Sequence, residues 1–404
     1  MSGAAPPPSP LIDSSRAWGV CVAAALGIGT SFGTVYAFGA FFEPMADEFG
    51  TGLGPTALVF GITLLLFFGS GIITGPLGDR FGPRPLVIAG ALLLIVGLLT
   101  TSRVQHVALG YVTYGFGVGF GAGMSVSPLM ASVGGWFQRY RAVAMGITAT
   151  GSGLGTLVLV PTSERLIDAQ GWRPAFVVLA VADAVALAVV ALLVRPAPVA
   201  PPPPARERIA AVVRTRAFQG VAGSAAMLSV ALFVPFGFLV TFATDQGVSQ
   251  RAAAALISVI GASSIVGRLF LTSLSGRFGP VRVFQGCLAA QPVAYLVWLV
   301  AGGRYPLLVL FAAILGVAYG GFVAVSGEVL AHLFGVVGLG SVFGVMFAGF
   351  GLGGLIGPPL TGFVADSTGG QTVPIIIAVV VTTVAAVISL TVQRSPVHEL
   401  IVTG

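Results

Sequence analysis

The chain contains no lysine; all 19 of its basic residues are arginine. This excludes Schiff-base chemistry on a lysine and any lysine counter-ion. Charge of either sign is scarce. Charged residues make up 8% of the 404 and hydrophobic residues 56%, whereas soluble domains carry about 25% charge. With a mean hydropathy of +1.01, the chain reads as a membrane protein. Its formal net charge of +6 does not point to nucleic acid, because the arginines flank apolar segments. Cysteine is also rare. Cys21 and Cys287 both lie inside apolar segments, so neither a disulfide framework nor a metal site is expected. No His/Cys/Asp/Glu group has ligand spacing, and no cofactor is implied. Gly117-Val118-Gly119-Phe120-Gly121 lies inside an apolar segment with no strand before it, so it is no dinucleotide fingerprint. An enzyme is excluded on these grounds.

Apolar runs are abundant. Hydropathy predicts twelve spans at 17–42, 56–77, 85–102, 106–133, 140–163, 173–194, 218–244, 251–275, 282–301, 305–332, 339–365 and 372–392. Each is near the roughly 20 residues a helix needs to cross the hydrocarbon. Residues 1–15 are Pro-rich without a basic n-region or cleavage site, and read as a tail rather than a signal peptide. Residues 195–216 hold a proline run and then Arg206, Arg208, Arg214 and Arg216. A polyproline stretch is stiff and extended, so this segment reads as a linker. The expected organisation is tail 1–15, bundle 16–194, linker 195–216, bundle 217–394 and tail 395–404. Placing both termini in the cytoplasm puts thirteen arginines inside and five outside, with Arg268 buried. That asymmetry fixes the expected orientation.

An internal repeat supports two halves. Leu77-Gly78-Asp79-Arg80-Phe81-Gly82-Pro83 returns as Leu274-Ser275-Gly276-Arg277-Phe278-Gly279-Pro280. Gly151, Gly153, Gly155, Pro161 and Asp168 return as Gly349, Gly351, Gly353, Pro359 and Asp366. Two parallel six-helix units joined by a linker form the architecture of a rocker-switch transporter.

Arg268 stands out because no other charge lies between Arg251 and Arg277. A guanidinium inside the bilayer costs from about 3 to above 10 kcal/mol, depending on the scale. It persists when it faces water, a protein partner or an anionic ligand. On a helix, Gly261, Ser264, Arg268, Thr272 and Ser275 share one face, which reads as the wall of a water-accessible path. A brace between helices is the alternative. Tyr36, Tyr114 and Tyr319 lie inside spans, where a hydroxyl needs a partner. Glu328 and His332 share a face of the tenth span. Asp183 is isolated among Val and Ala and reads as a locally bonded acid, while Asp366 reads as a loop-edge structural residue.

Gly75-Pro76-Leu77-Gly78-Asp79-Arg80-Phe81-Gly82-Pro83-Arg84 resembles the signature of the major facilitator superfamily between helices two and three. The resemblance implies an all-α fold of twelve transmembrane helices in two pseudo-symmetric six-helix bundles. The carboxylate and arginines can form a conformational gate of Asp79, Arg80, Gly82, Arg84 and Arg277, pairing with each other and with a helix dipole of the other half. Trp136-Phe137-Gln138-Arg139-Tyr140-Arg141-Ala142-Val143-Ala144-Met145-Gly146 resembles the entry to helix five of the monocarboxylate transporters. Val35 to Phe42, Leu232 to Phe236 and Tyr319 to Ala324 resemble that family's first, seventh and tenth helices. The oxalate/formate antiporter family shares most of these features.

By this resemblance Arg268 occupies the position of the helix-eight arginine that binds substrate carboxylate. The implied activity is transport of a small organic monocarboxylate, lactate- or pyruvate-like, across the bacterial inner membrane by a monomer, with a proton. Anion exchange of the oxalate/formate type and a non-transporting membrane sensor remain as alternatives. Tyr36, Tyr319, Met124, Ser152 and Tyr114 are the further candidates for substrate contact, and Glu328 for proton coupling. Three departures matter. Tyr36 stands where many members have a lysine, Ser264 where animal members have an aspartate, and helix eleven is uncharged from Ser341 to Ala365. The family's usual proton relay is therefore missing.

The expected sidedness is checked by maleimide labelling. Arg206→Cys should resist an impermeant reagent in intact cells and react after permeabilisation; labelling from outside would invert the topology.

Overall fold

The computed structural model describes residues 11–198, 206–334 and 339–392, with backbone only at Asp79, Ala142, 206–209 and 339–341. Among these residues twelve helices are long and apolar enough to cross a membrane. They are Ser15–Phe49, Leu53–Gly78, Pro83–Thr101, Val107–Trp136, Val143–Gln170, Trp172–Leu193, Arg216–Asp245, Gln250–Phe278, Pro280–Ala301, Tyr305–Phe334, Val342–Thr368 and Thr372–Ser389. They are called spans one to twelve below. All twelve expected spans are present, and no strand occurs among the described residues.

Local chemistry sets the ends. Ser14 accepts a hydrogen bond from the Ala17 amide at the start of span one, and Gly50 closes it at φ 59°, a left-handed conformation that suits glycine. Thr215 caps span seven through the Phe218 amide at 3.2 Å. Span seven is interrupted at Phe233, with Pro235 opening its second segment, where the missing N–H does least harm. In the 195–216 segment, Arg206–Val213 is helical and Val212 is buried. This part of the expected linker is therefore coiled and packed, not extended. The proline run at 199–205 and the tails at 1–10 and 393–404 lie outside the described residues.

Spans one, four, five and six pack together, as do spans seven, ten, eleven and twelve. The repeated glycines explain why. A Cβ at Gly151 or Gly155 would run into the backbone of span one, and a Cβ at Gly153 would lie 3.0 Å from Ser264 Oγ of span eight. The second copy repeats the pattern. Gly353 abuts Ala226 and Ser229 of span seven, and a Cβ at Gly351 would lie 3.2 Å from the Leu65 carbonyl of span two. One glycine in each repeat thus faces its own bundle and the next faces the other. Small residues of this kind let helices approach closely where lipid supplies no hydrophobic drive.

The largest seams between the bundles are span two on span eleven and span five on span eight, with span one on span seven beside them. On the side away from the linker the first seam is latched. The Asp366 carboxylate accepts from the Leu53 amide at 3.2 Å and the Gly54 amide at 3.0 Å. A carboxylate at a helix N-terminus satisfies orphan amides and meets the positive dipole end. Asp366 therefore does more than mark a loop edge. It makes across the bundles the carboxylate–dipole contact that the sequence led us to expect of the linker-side gate.

Losing such a cap costs about 1 kcal/mol, or about fivefold in an equilibrium. Asp366→Ala should raise the reactivity of Thr51→Cys toward an impermeant maleimide by about that factor. Unchanged reactivity would mean that the contact does not hold this side shut.

Candidate functional site

Arg268 lies in the middle of span eight with 3% of its surface exposed. Its Nη1 donates to the Ala149 carbonyl and to Ser152 Oγ, both on span five of the other bundle. Its guanidinium carbon lies 5.9 Å from the ring centroid of Tyr319 on span ten. The Tyr319 hydroxyl in turn lies 3.0 Å from that of Tyr36 on span one. Four helices, two from each bundle, therefore meet at one cation. Close packing holds it in place. Gly267 rests against the Val317 carbonyl, and Gly320 against that of Ser264, so span ten lies directly on span eight beside the arginine.

The cation lacks a counter-charge. Among the described residues the one ion pair is Arg173–Glu48, at 2.6 Å near a membrane edge. Arg268 Nε is buried without a hydrogen-bond partner. Neutral oxygens hold Nη1, so the fork is only partly satisfied. A planar guanidinium in that condition is suited to a carboxylate, which can take two parallel hydrogen bonds.

The rest of the surroundings are aromatic. Tyr36 lies 4.7 Å from Phe236, 5.7 Å from Phe32 and 6.0 Å from Phe233, centroid to centroid. Phe68 of span two extends the cluster to Phe347 and Phe350 of span eleven, at 5.4 and 5.0 Å. The sequence reading missed this wall. Its signal was the phenylalanine density of spans one, two, seven and eleven, which does not reveal which rings converge.

Several expectations need correction. The stripe on span eight is a packed seam in this conformer rather than the wall of a wet path. Gly261, Ser264, Arg268 and Ser275 are buried and only Thr272 is exposed. Tyr114 is packed within the first bundle and has none of the arginine's partners among its own. It sits in a widened, π-type stretch of span four, between Phe38 and Phe176. Its hydroxyl donates to the Thr34 carbonyl at 2.8 Å. Burial satisfied by that bond explains the tyrosine without a ligand. Met124 is half-buried, and a Cβ on Gly90 of span three would lie 2.9 Å from its Cβ. Its backbone is thus committed to packing within one bundle. Glu328 does not pair with Arg268. It is exposed and accepts from Ser275 Oγ at 2.6 Å, about two helical turns along span eight from the arginine.

Of the linker-side gate, Arg80 lies over Phe81 at 5.0 Å and Arg277 over Phe278 at 5.5 Å. Arg84 is exposed and Gly82 turns the chain at φ 78°. The side chain of Asp79 lies outside the described residues. Asp183 is the locally bonded acid expected of it, accepting from Thr34 Oγ1 at 2.7 Å. The aromatic and basic run at 136–141 is tied down by Asp13. Its carboxylate accepts from the amides of Gln138, Arg139 and Tyr140 at 3.0–3.4 Å.

Known proteins resemble this chain in sequence and in fold. The profile of the Major Facilitator Superfamily matches residues 24–280 and 220–402. Monocarboxylate transporter 3 of Mus musculus is 31% identical over 390 residues, covering 90% of this chain and 76% of its own. Monocarboxylate transporter 4 of Mus musculus is 29% identical over 372 residues, covering 88% and 78%. The aspyridones efflux protein of Emericella nidulans is 27% identical over 375 residues, covering 91% and 75%. In fold, the chain is similar to a bacterial homologue of the human lysosomal transporter Spinster, with a TM-score of 0.72 at 16% identity. That likeness covers 95% of this chain and 100% of the other. The chain belongs to the major facilitator superfamily and, within it, to the monocarboxylate transporter family. It is a membrane carrier, not an enzyme.

The hydroxyl pair links the two bundles, and a hydrogen bond of this kind contributes about 1 kcal/mol. Tyr36→Phe and Tyr319→Phe should each lower the melting temperature. The double variant should fall no further than the worse single one. Additive losses would show that the two hydroxyls act separately.

Proposed function

We propose that this carrier moves a small organic monocarboxylate, lactate- or pyruvate-like, across the bacterial inner membrane by alternating access. The linker side faces the cytoplasm, the monomer is the working unit, and a proton accompanies the anion. The observation that carries the reading is the buried guanidinium of Arg268 with neutral partners and an unpartnered Nε. One cation matches one carboxylate, whereas a dicarboxylate would call for two. The aromatic wall around Tyr36 suits the apolar remainder of such an acid.

The mechanism follows from competition for the fork. In the present conformer Arg268 pins span eight to span five through Ala149 and Ser152. An arriving carboxylate offers charge-assisted bonds, roughly twice as strong as neutral ones, and draws the guanidinium away from span five. Neutralising the cation removes the penalty it carries in the membrane. Occupancy is thereby coupled to the relation between bundles, and the ligand shifts the equilibrium by its differential affinity for the two states. Tyr36 and Tyr319 supply hydroxyls at the junction. Glu328 of span ten, on the linker side and bonded to Ser275 of span eight, is the coupling candidate for the proton.

Exchange of organic anions is the second reading. It is favoured by the lack, among the described residues, of any carboxylate paired with Arg268.

Proteoliposomes separate the two. An inward pH gradient should drive uptake of labelled lactate into vesicles without internal anion; a strict need for preloaded anion would establish exchange. Arg268→Lys keeps the charge and loses the planar fork. It should reduce transport about 10²-fold or more, the scale of a misplaced reactive contact, without unfolding the protein. Wild-type rate and affinity in Arg268→Lys or Arg268→Gln would reduce the arginine to a brace.

A further inference from the structure

Spans eight, nine and ten of one bundle line a groove of about 730 Å³. It shares no lining residue with the Arg268 cluster. Leu271 and Phe278 of span eight, Gly286 and Ala290 of span nine and Ala318 of span ten are among its walls. Arg282 is the one charged residue that lines it. We propose that this groove holds an acyl chain of an anionic phospholipid, with the headgroup on Arg282.

The order of the walls supports that occupant. Arg282 lies in the first turn of span nine, at the linker-side end. Ala290 lies about 12 Å deeper by helical rise. The groove therefore runs from a cation at the membrane edge to an apolar trough toward the middle of the bilayer, matching a lipid head and chain. Arg282 is exposed and makes no ion pair among the described residues. Arg277 lies at the same end, over Phe278, and Glu328, bonded to Ser275, supplies one carboxylate there, so the two arginines leave the local charge positive. A free phosphate would meet the arginine and leave the trough unfilled. A zwitterionic lipid would fill the trough without neutralising the charge.

The position gives such a lipid a role. Val317 and Ala318 line the groove and immediately precede Tyr319. Gly267, next to Arg268, rests on the Val317 carbonyl. A chain in the groove fills the space behind spans eight and ten and holds them together where they carry the arginine and the tyrosine.

Native mass spectrometry of the full chain, equilibrated with phosphatidylglycerol and phosphatidylcholine in equal amounts, tests the assignment. The wild type should retain the anionic lipid with about a fivefold preference, the equivalent of one arginine contact at the membrane surface. Arg282→Gln should bring the ratio near one. At Gly286 an added Cβ meets nothing within 4 Å, so Gly286→Phe fills the groove without a backbone clash and should lose the bound lipid of both kinds. Equal retention of the two lipids by the wild type would overturn the proposal. So would an unchanged preference in Arg282→Gln, or a Gly286→Phe variant that keeps its phosphatidylglycerol. A mass shift of Gly286→Phe from dimer to monomer with lipid unchanged would assign the groove to a second copy of the chain.

Discussion

The organisation of this carrier depends on one buried charge. Water solvates a guanidinium better than any protein interior does, and the desolvation of Arg268 has to be offset by its neighbours. Here the offset comes from the opposite bundle, through the Ala149 carbonyl and Ser152 Oγ. Under the proposed function, the charge that would recognise an anion is also the charge that ties the bundles together. Such a contact, with two mutually exclusive uses, would act as a switch, its holder deciding whether spans five and eight stay joined at the level of the arginine.

The two halves repeat a backbone plan but not its chemistry. With the shift of 197 that relates Leu77-Gly78-Asp79 to Leu274-Ser275-Gly276, the counterpart of Arg268 is Gly71 and that of Ser264 is Phe67. One seam between the bundles therefore carries a cation and hydroxyls. The other carries Phe68, which meets Phe347 and Phe350 of span eleven at 5.4 and 5.0 Å. Pseudo-symmetry gives the two seams one backbone plan, and its loss at these positions leaves one seam charged and the other aromatic. The seal away from the linker shows the same asymmetry. Asp366 caps span two through two amides, while its counterpart Asp168 is exposed.

Much of this was legible in the sequence because it rests on composition and spacing. Hydropathy located all twelve spans, and the repeated glycines marked span five as the counterpart of span eleven. Arg268, Tyr36 and Tyr319 were singled out because polar groups inside long apolar runs require a reason to be there, and the structure places Ser152, a further candidate, against Arg268. Helix rotation was not legible. A span that is apolar all round has no polar face to orient it, so Tyr114 and Tyr36 looked alike although one serves packing and the other reaches Tyr319. The partner of Glu328 was hidden for the same reason. Asp366 was underrated because its function lies in the amides of Leu53 and Gly54, which no sequence pattern marks as neighbours of span eleven.

The central claim is that substrate and span five compete for one guanidinium. A structure of the wild-type protein bound to lactate addresses it without any mutation. The carboxylate should lie in a two-bond contact with Arg268, with the bonds to Ala149 and Ser152 broken. Lactate bound elsewhere while Arg268 still grips both would contradict it.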